Sequence, residues 1–163
     1  MQEWDSQQPS APDRAQEAFE RGLAAIRRRE RGTAELADWL TERDFTPAEV
    51  STAIGRLTEV GEVDHRRFAE RFAEDKRELR GWGPERVRET LTSRGIPPEL
   101  VELAIEAEGR DDQLERAEAL LARRAQPLED DGARGRALAF LTRRGYEYEL
   151  AYEAIRRHRG ATA

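Results

Sequence analysis

The chain has 163 residues, enough for one ordinary domain or for a short array of small units with a real core. It holds no cysteine, which excludes disulfides, thiolate metal sites and a cysteine nucleophile together. Its 28 basic and 34 acidic residues leave a net charge of −6, which argues against a surface built wholly to coat DNA. The longest uncharged runs fall far short of the ~18 residues a membrane span needs. The opening residues show no charged stretch leading into an apolar one, so no secretion signal is read and a cytoplasmic protein is expected. Charge is unevenly placed: residues 33–60 carry 2 basic and 6 acidic side chains, while residues 134–159 carry 7 and 3.

Residues 1–13 (MQEWDSQQPSAPD) carry two prolines and three glutamines with no apolar period, and read as a disordered leader containing Trp4. From Arg14 onward Phe19, Leu23 and Ile26 share one helical face. Arg27, Arg28, Arg29 and Arg31 crowd the end of this helix, where cations complement the helix dipole. A second helix follows Gly32, with Thr33 as its expected cap and Leu36, Trp39 and Leu40 facing inward. Thr46-Pro47-Ala48-Glu49 opens a third: Thr46 caps, Pro47 suits the first turn, Glu49 closes a capping box, and Phe45 with Val50 forms the staple. Gly61 ends it. Asp64 caps the next helix, with Val63 and Phe68 as staple and Phe68, Phe72 and Leu79 on its buried side. Gly81-Trp82-Gly83-Pro84 is then a helix stop and a helix start in four residues, Gly81 suiting a left-handed end and Pro84 a first turn. Trp82 has no helical duty and is expected to pack over the junction, a partner-facing role being the alternative.

An internal repeat decides the architecture. Leu40-Thr41-Glu42-Arg43-Asp44-Phe45 aligns with Leu91-Thr92-Ser93-Arg94-Gly95-Ile96 and with Leu141-Thr142-Arg143-Arg144-Gly145-Tyr146, at offsets of 51 and 50 residues. The same alignment pairs Val50 with Val101 and Ala151, Ala53 with Ala104 and Ala154, and Ile54 with Ile105 and Ile155. No stretch shows the period-two alternation of a strand. The expected fold is therefore all-α, a tandem array of three three-helix units over 14–61, 62–109 and 110–160, elongated and curved. In the third unit the helices fall near 111–125, 133–144 and 147–159. Asp111 is read as an N-cap there and 125–132 as a polar connection.

The residues supply no nucleophile with a base, no ligand cluster and no phosphate loop, so no catalytic, cofactor-binding or metal-binding residue is assigned. His65 and His158 sit among charges at helix ends and read as surface groups. Glu129, Asp130 and Asp131 read as loop charge. What remains is surface, in three basic groups. The first is Arg27, Arg28, Arg29 and Arg31. The second is Arg66, Arg67, Arg77, Arg80 and Arg86, around Trp82. The third is Arg143, Arg144, Arg156, Arg157 and Arg159. Each can be a solvated face paired with Asp and Glu at helical spacing. Together they suggest a long surface matched to an extended partner of mixed charge. A helix-turn-helix module bound to DNA is the rival. The candidate reading helices at 47–59 and 98–108 are acidic, and only 148–159 suits phosphate.

The order AIRRRERGTAELADWLTERDF, then VDHRRFAERFAEDKRELRGWGPERVRETLTSRGI, then a degenerate third unit resembles the bacterial RecX proteins, regulators of the RecA recombinase. The resemblance covers residues 20–159. Its most specific part is Arg67-Phe68-Ala69, then Gly81-Trp82-Gly83-Pro84 with Arg86, leading to Leu91 and Arg94-Gly95-Ile96. His65 stands where the family commonly has a second aspartate, and Gly32 where a serine often caps. The resemblance implies a modular helical protein, not an enzyme and without a cofactor, that lies on the RecA filament on single-stranded DNA. There it would restrain filament growth or promote disassembly, and damp strand exchange, ATP hydrolysis and the co-protease activity behind the SOS response. A monomer with weak direct DNA binding is expected. Arg66, Arg67, Arg77, Arg80, Trp82 and Arg86 are its candidate partner contacts, and the two terminal arginine groups candidates for nucleic acid or acidic surface.

Overall fold

The computed structural model describes residues 10–124 and 126–162. Among them the ordered elements are helices, with no strand: α1 (Ala11–Arg28), α2 (Thr33–Thr41), α3 (Pro47–Glu59), α4 (His65–Arg80), α5 (Pro84–Ser93), α6 (Pro98–Glu106), α7 (Arg110–Arg124), α8 (Asp131–Arg143) and α9 (Tyr148–Thr162). The chain is thus all-α. It divides into two compact units, residues 1–68 and 69–163, the division falling inside α4. Of the leader read over 1–13, residues 1–9 with Trp4 lie outside the described residues, and α1 starts at Ala11 and not at Arg14. Pro12 suits its first turn, and Asp13 there accepts a 2.6 Å hydrogen bond from the Ser10 hydroxyl.

In the first unit α1 packs on α2 and α3, and α2 on α3. Leu36, Leu40, Ala53 and Leu57 are wholly buried between them. The capping box forms as the residues demand: the Glu49 N–H donates to the Thr46 hydroxyl at 3.4 Å, and the Thr46 N–H donates to Glu49 Oε2 at 2.8 Å. Phe45 and Val50, the staple pair, are both buried. Arg14 extends the box across to α1, its Nε donating to Glu49 Oε1 at 3.1 Å and its terminal nitrogen to the Asp44 carbonyl at 2.6 Å. At α2 the expectation needs correcting. Thr33 is the first helical residue and Gly32 the cap, so no side chain closes that end. Asp64 does cap α4, accepting from the Arg67 N–H at 2.9 Å.

Leu79 departs from the buried side of α4 and stands 76% exposed. The buried positions wind round the helix from Phe68 through Phe72 and Ala73 to Arg77. At about 100° per residue Arg77 lies half a turn from Phe68, and Leu79 comes back to within roughly 20° of it. By that point along α4 the Phe68 direction faces water. The third unit's helices also shift. α7 begins at Arg110, which puts Asp111 inside the first turn and not at the cap. Asp130, read as loop charge, caps α8 by accepting from the Ala133 N–H at 2.6 Å.

The repeat is realised in backbone geometry. Leu40, Leu91 and Leu141 are each wholly buried, and their carbonyls accept from the N–H groups of Phe45, Ile96 and Tyr146 at 3.5, 3.2 and 3.2 Å. This bond forms only if the residue before the aromatic or Ile is left-handed, and Asp44, Gly95 and Gly145 have φ of 63°, 77° and 91°. The preceding arginines also recur: Arg43 lies 3.6 Å from the Trp39 ring centre, Arg144 4.7 Å from Phe140, and Arg94 4.9 Å from Phe72. Trp39 and Phe140 sit four residues before their arginines. Thr90 occupies that place in the middle repeat, so Arg94 reaches an aromatic on α4 instead.

Within the second unit, α7 and α8 pack on α9 and α5 packs on α6. The start of α5 is pressed against the end of α8. The Gly83 N–H donates to the Arg144 carbonyl at 2.7 Å and the Glu85 N–H to the Gly145 carbonyl at 3.0 Å. A Cβ on Gly83 would fall 2.5 Å from the Gly145 backbone, and one on Gly145 would fall 2.4 Å from the Arg86 nitrogen. Both neighbours are backbone and cannot give way.

Gly83→Ala should therefore destabilise the chain by about 1–3 kcal/mol in urea unfolding through overpacking. Gly55→Ala, in α3 with nothing within 4 Å of the added carbon, should stabilise it by roughly 0.5–1 kcal/mol. The Thr46 N–H, aided by Arg14, holds the Glu49 carboxyl below its usual range. A depressed carboxylate contributes stability that is present above the ordinary carboxylate pKa and lost as pH falls through the lowered one. Acid unfolding followed by circular dichroism should show Glu49→Gln less stable than the parent at pH 7, with the two converging in acid.

Candidate functional site

The Gly81-Trp82-Gly83-Pro84 junction joins α4 to α5 within the second unit. Gly81 takes φ of 61° and ends α4, its N–H donating to the Arg77 carbonyl at 3.0 Å while the Trp82 N–H reaches Lys76 at 3.1 Å. Gly83 caps α5 and Pro84 opens it. Trp82, half-buried between them, meets Phe72 edge-on at 6.2 Å. The Arg86 guanidinium lies 4.3 Å and the Lys76 ammonium 5.3 Å from its ring centre. The ring is held by its own unit and carries two cations at its faces.

Arg77 does not belong to the surface. It is 9% exposed and its terminal nitrogen donates to the Ala104 and Ile105 carbonyls at 2.6 and 3.1 Å, closing the end of α6. Its Nε stands 3.0 Å from Glu108 Oε2, an ion-pair approach whose angle lies outside that of a hydrogen bond. Arg116, from α7, donates to Glu108 Oε1 from Nε at 2.9 Å. Burial lowers the pKa of Arg77, and the Glu108 charge acts against that. Grouping Arg77 with Arg80 as one exposed patch is thus corrected: three residues along α4, the two point to opposite fates.

Arg80 lines a groove of about 370 Å³ together with Arg123, Arg124 and Arg144, over apolar contributions from Leu79, Leu120 and Phe140. Arg80 and Arg123 are exposed, and neither guanidinium has a partner among the described residues. Arg124 and Arg144 sit 4.3 and 4.7 Å from the Phe140 ring centre, and Arg144 also donates to the Arg80 carbonyl. Glu78 is the acidic residue at the lining. Guanidinium groups whose donors are left open, as those of Arg80 and Arg123 are, can take carboxylate or phosphate oxygens two at a time.

This groove joins residues read apart in the sequence, since Arg80 comes from the middle arginine group and Arg144 from the last. Arg86 borders the same interlock, donating to the Arg143 carbonyl at 3.4 Å. Arg66 and Arg67 lie in the first unit, exposed, with Arg67 3.8 Å from Glu30. The first arginine group is largely consumed within that unit. Arg27 donates to Glu62 at 3.0 Å, Arg29 and Arg31 both pair with Glu35, and Arg28 stands exposed. Of the last group Arg143, Arg156 and Arg159 are exposed, and Arg157 pairs with Glu153 at 2.6 Å. Arg123 and Arg124 were missed. In sequence they look like ordinary cations complementing the end of α7, and only the fold turns them toward Arg80.

A family model described as RecX, second three-helix domain, matches residues 64–105, the stretch around this junction. The chain is 36% identical over 140 residues to the regulatory protein RecX of Thermus thermophilus, covering 86% of this chain and 91% of that one. To the regulatory protein RecX of Trichlorobacter lovleyi it is 34% identical over 136 residues, covering 78% and 88%. Its fold matches the crystal structure of RecX from Lactobacillus salivarius with a TM-score of 0.78 at 19% identity, over 90% of this chain and 97% of that one.

Arg77→Met should cost about 3 kcal/mol in urea unfolding, because it weakens the pairing of a buried carboxylate and uncaps α6. Arg80→Glu and Arg123→Glu should each stay within about 0.5 kcal/mol of the parent.

Proposed function

The chain belongs to the RecX family, and on that premise we propose that it regulates RecA by binding the RecA filament on single-stranded DNA. The observation that carries the reading is the groove holding Arg80 and Arg123, two exposed guanidinium groups without partners among the described residues. Their open donors suit acidic side chains of a protein polymer. Tandem units over 14–61, 62–109 and 110–160 of a monomer would touch several protomers at once, and multivalent contact gives avidity without a deep pocket. Occupying successive protomers would restrain filament growth and lower ATP hydrolysis, strand exchange and co-protease activity in the cytoplasm, without a cofactor.

The test is ATP hydrolysis by pre-formed RecA filaments. The parent chain should inhibit at or below one molecule per RecA, and no inhibition there removes the reading. Arg80→Glu combined with Arg123→Glu should raise the concentration needed by roughly tenfold, the loss of about 1.4 kcal/mol of binding, with unfolding unchanged.

A further inference from the structure

Helix α9 presents a second surface, away from the Arg80 groove in its lining residues and different in chemistry. Tyr148 and Tyr152 are 61% and 59% exposed, large rings left open to solvent in a chain that buries most of its aromatic side chains wholly or in part. Four residues apart on one helix, they share a face. They border a cleft of about 350 Å³ between α8 and α9, floored by Leu138 and Ile155. On the α8 side Gly135 adds no side chain, and a Cβ there would meet nothing within 4 Å. Arg156 and Arg159 complete the rim from α9. Arg134, across the cleft, is engaged by Asp131.

The two ingredients select the occupant when taken together. An apolar partner helix would have no use for the arginines, and an acidic peptide would have no use for two open rings. Bases of a single strand stack on exposed rings while their phosphates need cations, and every base has a face to offer. In a duplex those faces are already stacked and out of reach. Side chains four apart on a helix stand about 6 Å apart, which suits a strand stretched beyond the roughly 3.4 Å rise of stacked DNA. Charge agrees, since residues 134–159 carry 7 basic and 3 acidic side chains in a chain of net charge −6. We propose that Tyr148 and Tyr152 form a stacking platform for unstacked bases of single-stranded nucleic acid, with Arg156 and Arg159 held against its phosphates.

The inference stands apart from the RecA reading, and its test contains no second protein. Fluorescence anisotropy of a labelled oligothymidylate, titrated with the full chain at low salt, should show binding that weakens steeply as salt rises. The same length of duplex should bind more weakly. Tyr148→Ala with Tyr152→Ala should weaken single-strand binding by at least about tenfold and leave the salt slope as it was. Tyr148→Phe with Tyr152→Phe should bind like the parent, since phenylalanine keeps the ring. Arg156→Gln should lower the salt slope by roughly 0.7. Both tyrosines are exposed, and circular dichroism should show unchanged helix content in either double variant. Equal or tighter binding of duplex, parent-like binding by the alanine pair, or no binding to single strands at low salt overturns the proposal. So does tyrosine-dependent self-association in sedimentation, which would make the face a contact between copies of the chain.

Discussion

Two glycine backbones in contact hold the second unit to its form. Gly83 opens α5 with N–H groups that no helix can satisfy, and the turn after α8 ends with carbonyls in the same position. Laid end to end, each supplies what the other lacks, through the Gly83 to Arg144 and Glu85 to Gly145 bonds. The positive end of one helix dipole also meets the negative end of another. Neither contact survives a side chain on either glycine. Around this seam the basic residues act twice. The carbonyls of Arg80, Arg143 and Arg144 accept bonds that close it, while the guanidinium of Arg80 is left to solvent. The groove is therefore as rigid as the seam beneath it, and rigid placement of arginines limits the entropy lost when a partner arrives.

A second constraint lies deeper, where Arg77 and Arg116 converge on Glu108. A carboxylate this well buried is tolerated only because two guanidinium groups and their fixed geometry replace its water. Arginine suits the place better than lysine, since one planar fork serves the Glu108 carboxylate and the α6 carbonyls together. The chain thus spends its arginines in two ways that composition cannot separate, some as interior braces and some as outward donors.

Much of the fold was legible before any coordinates. The repeated Leu-Thr-x-Arg-Asp/Gly motif marked the turns because a buried leucine, a left-handed residue and a buried aromatic or Ile are each demanded locally. Caps at Thr46 and Asp64 followed from the same local rules, as did the left-handed Gly81. Leu79 was misjudged because a fixed helical period assumes a straight stripe, whereas the stripe on α4 winds. Arg77 and Arg80 look alike in sequence, and only the arrival of α6 and α7 separates them. Gly83 hides its reason altogether: its φ of −84° is open to any residue, and what forbids a side chain is a turn about sixty positions further along. Arg123 and Arg124 were overlooked for a related cause, since Arg80, which shares their groove, comes from another repeat.

That long separation has a bearing on how the chain is made. Synthesis delivers the amino-terminal repeat first, and domains generally fold as they emerge. Helix α5 then leaves the ribosome well before its acceptors at Arg144 and Gly145 exist, with its leading N–H groups held only by water. The middle repeat is complete in sequence but not in structure until the last one has followed it. Its closing step is the docking of finished helix ends, a late and non-local event whose loop entropy is met only once. A nascent chain halted before residue 144 would hold the whole family signature and still lack the seam that sets Arg80 in place.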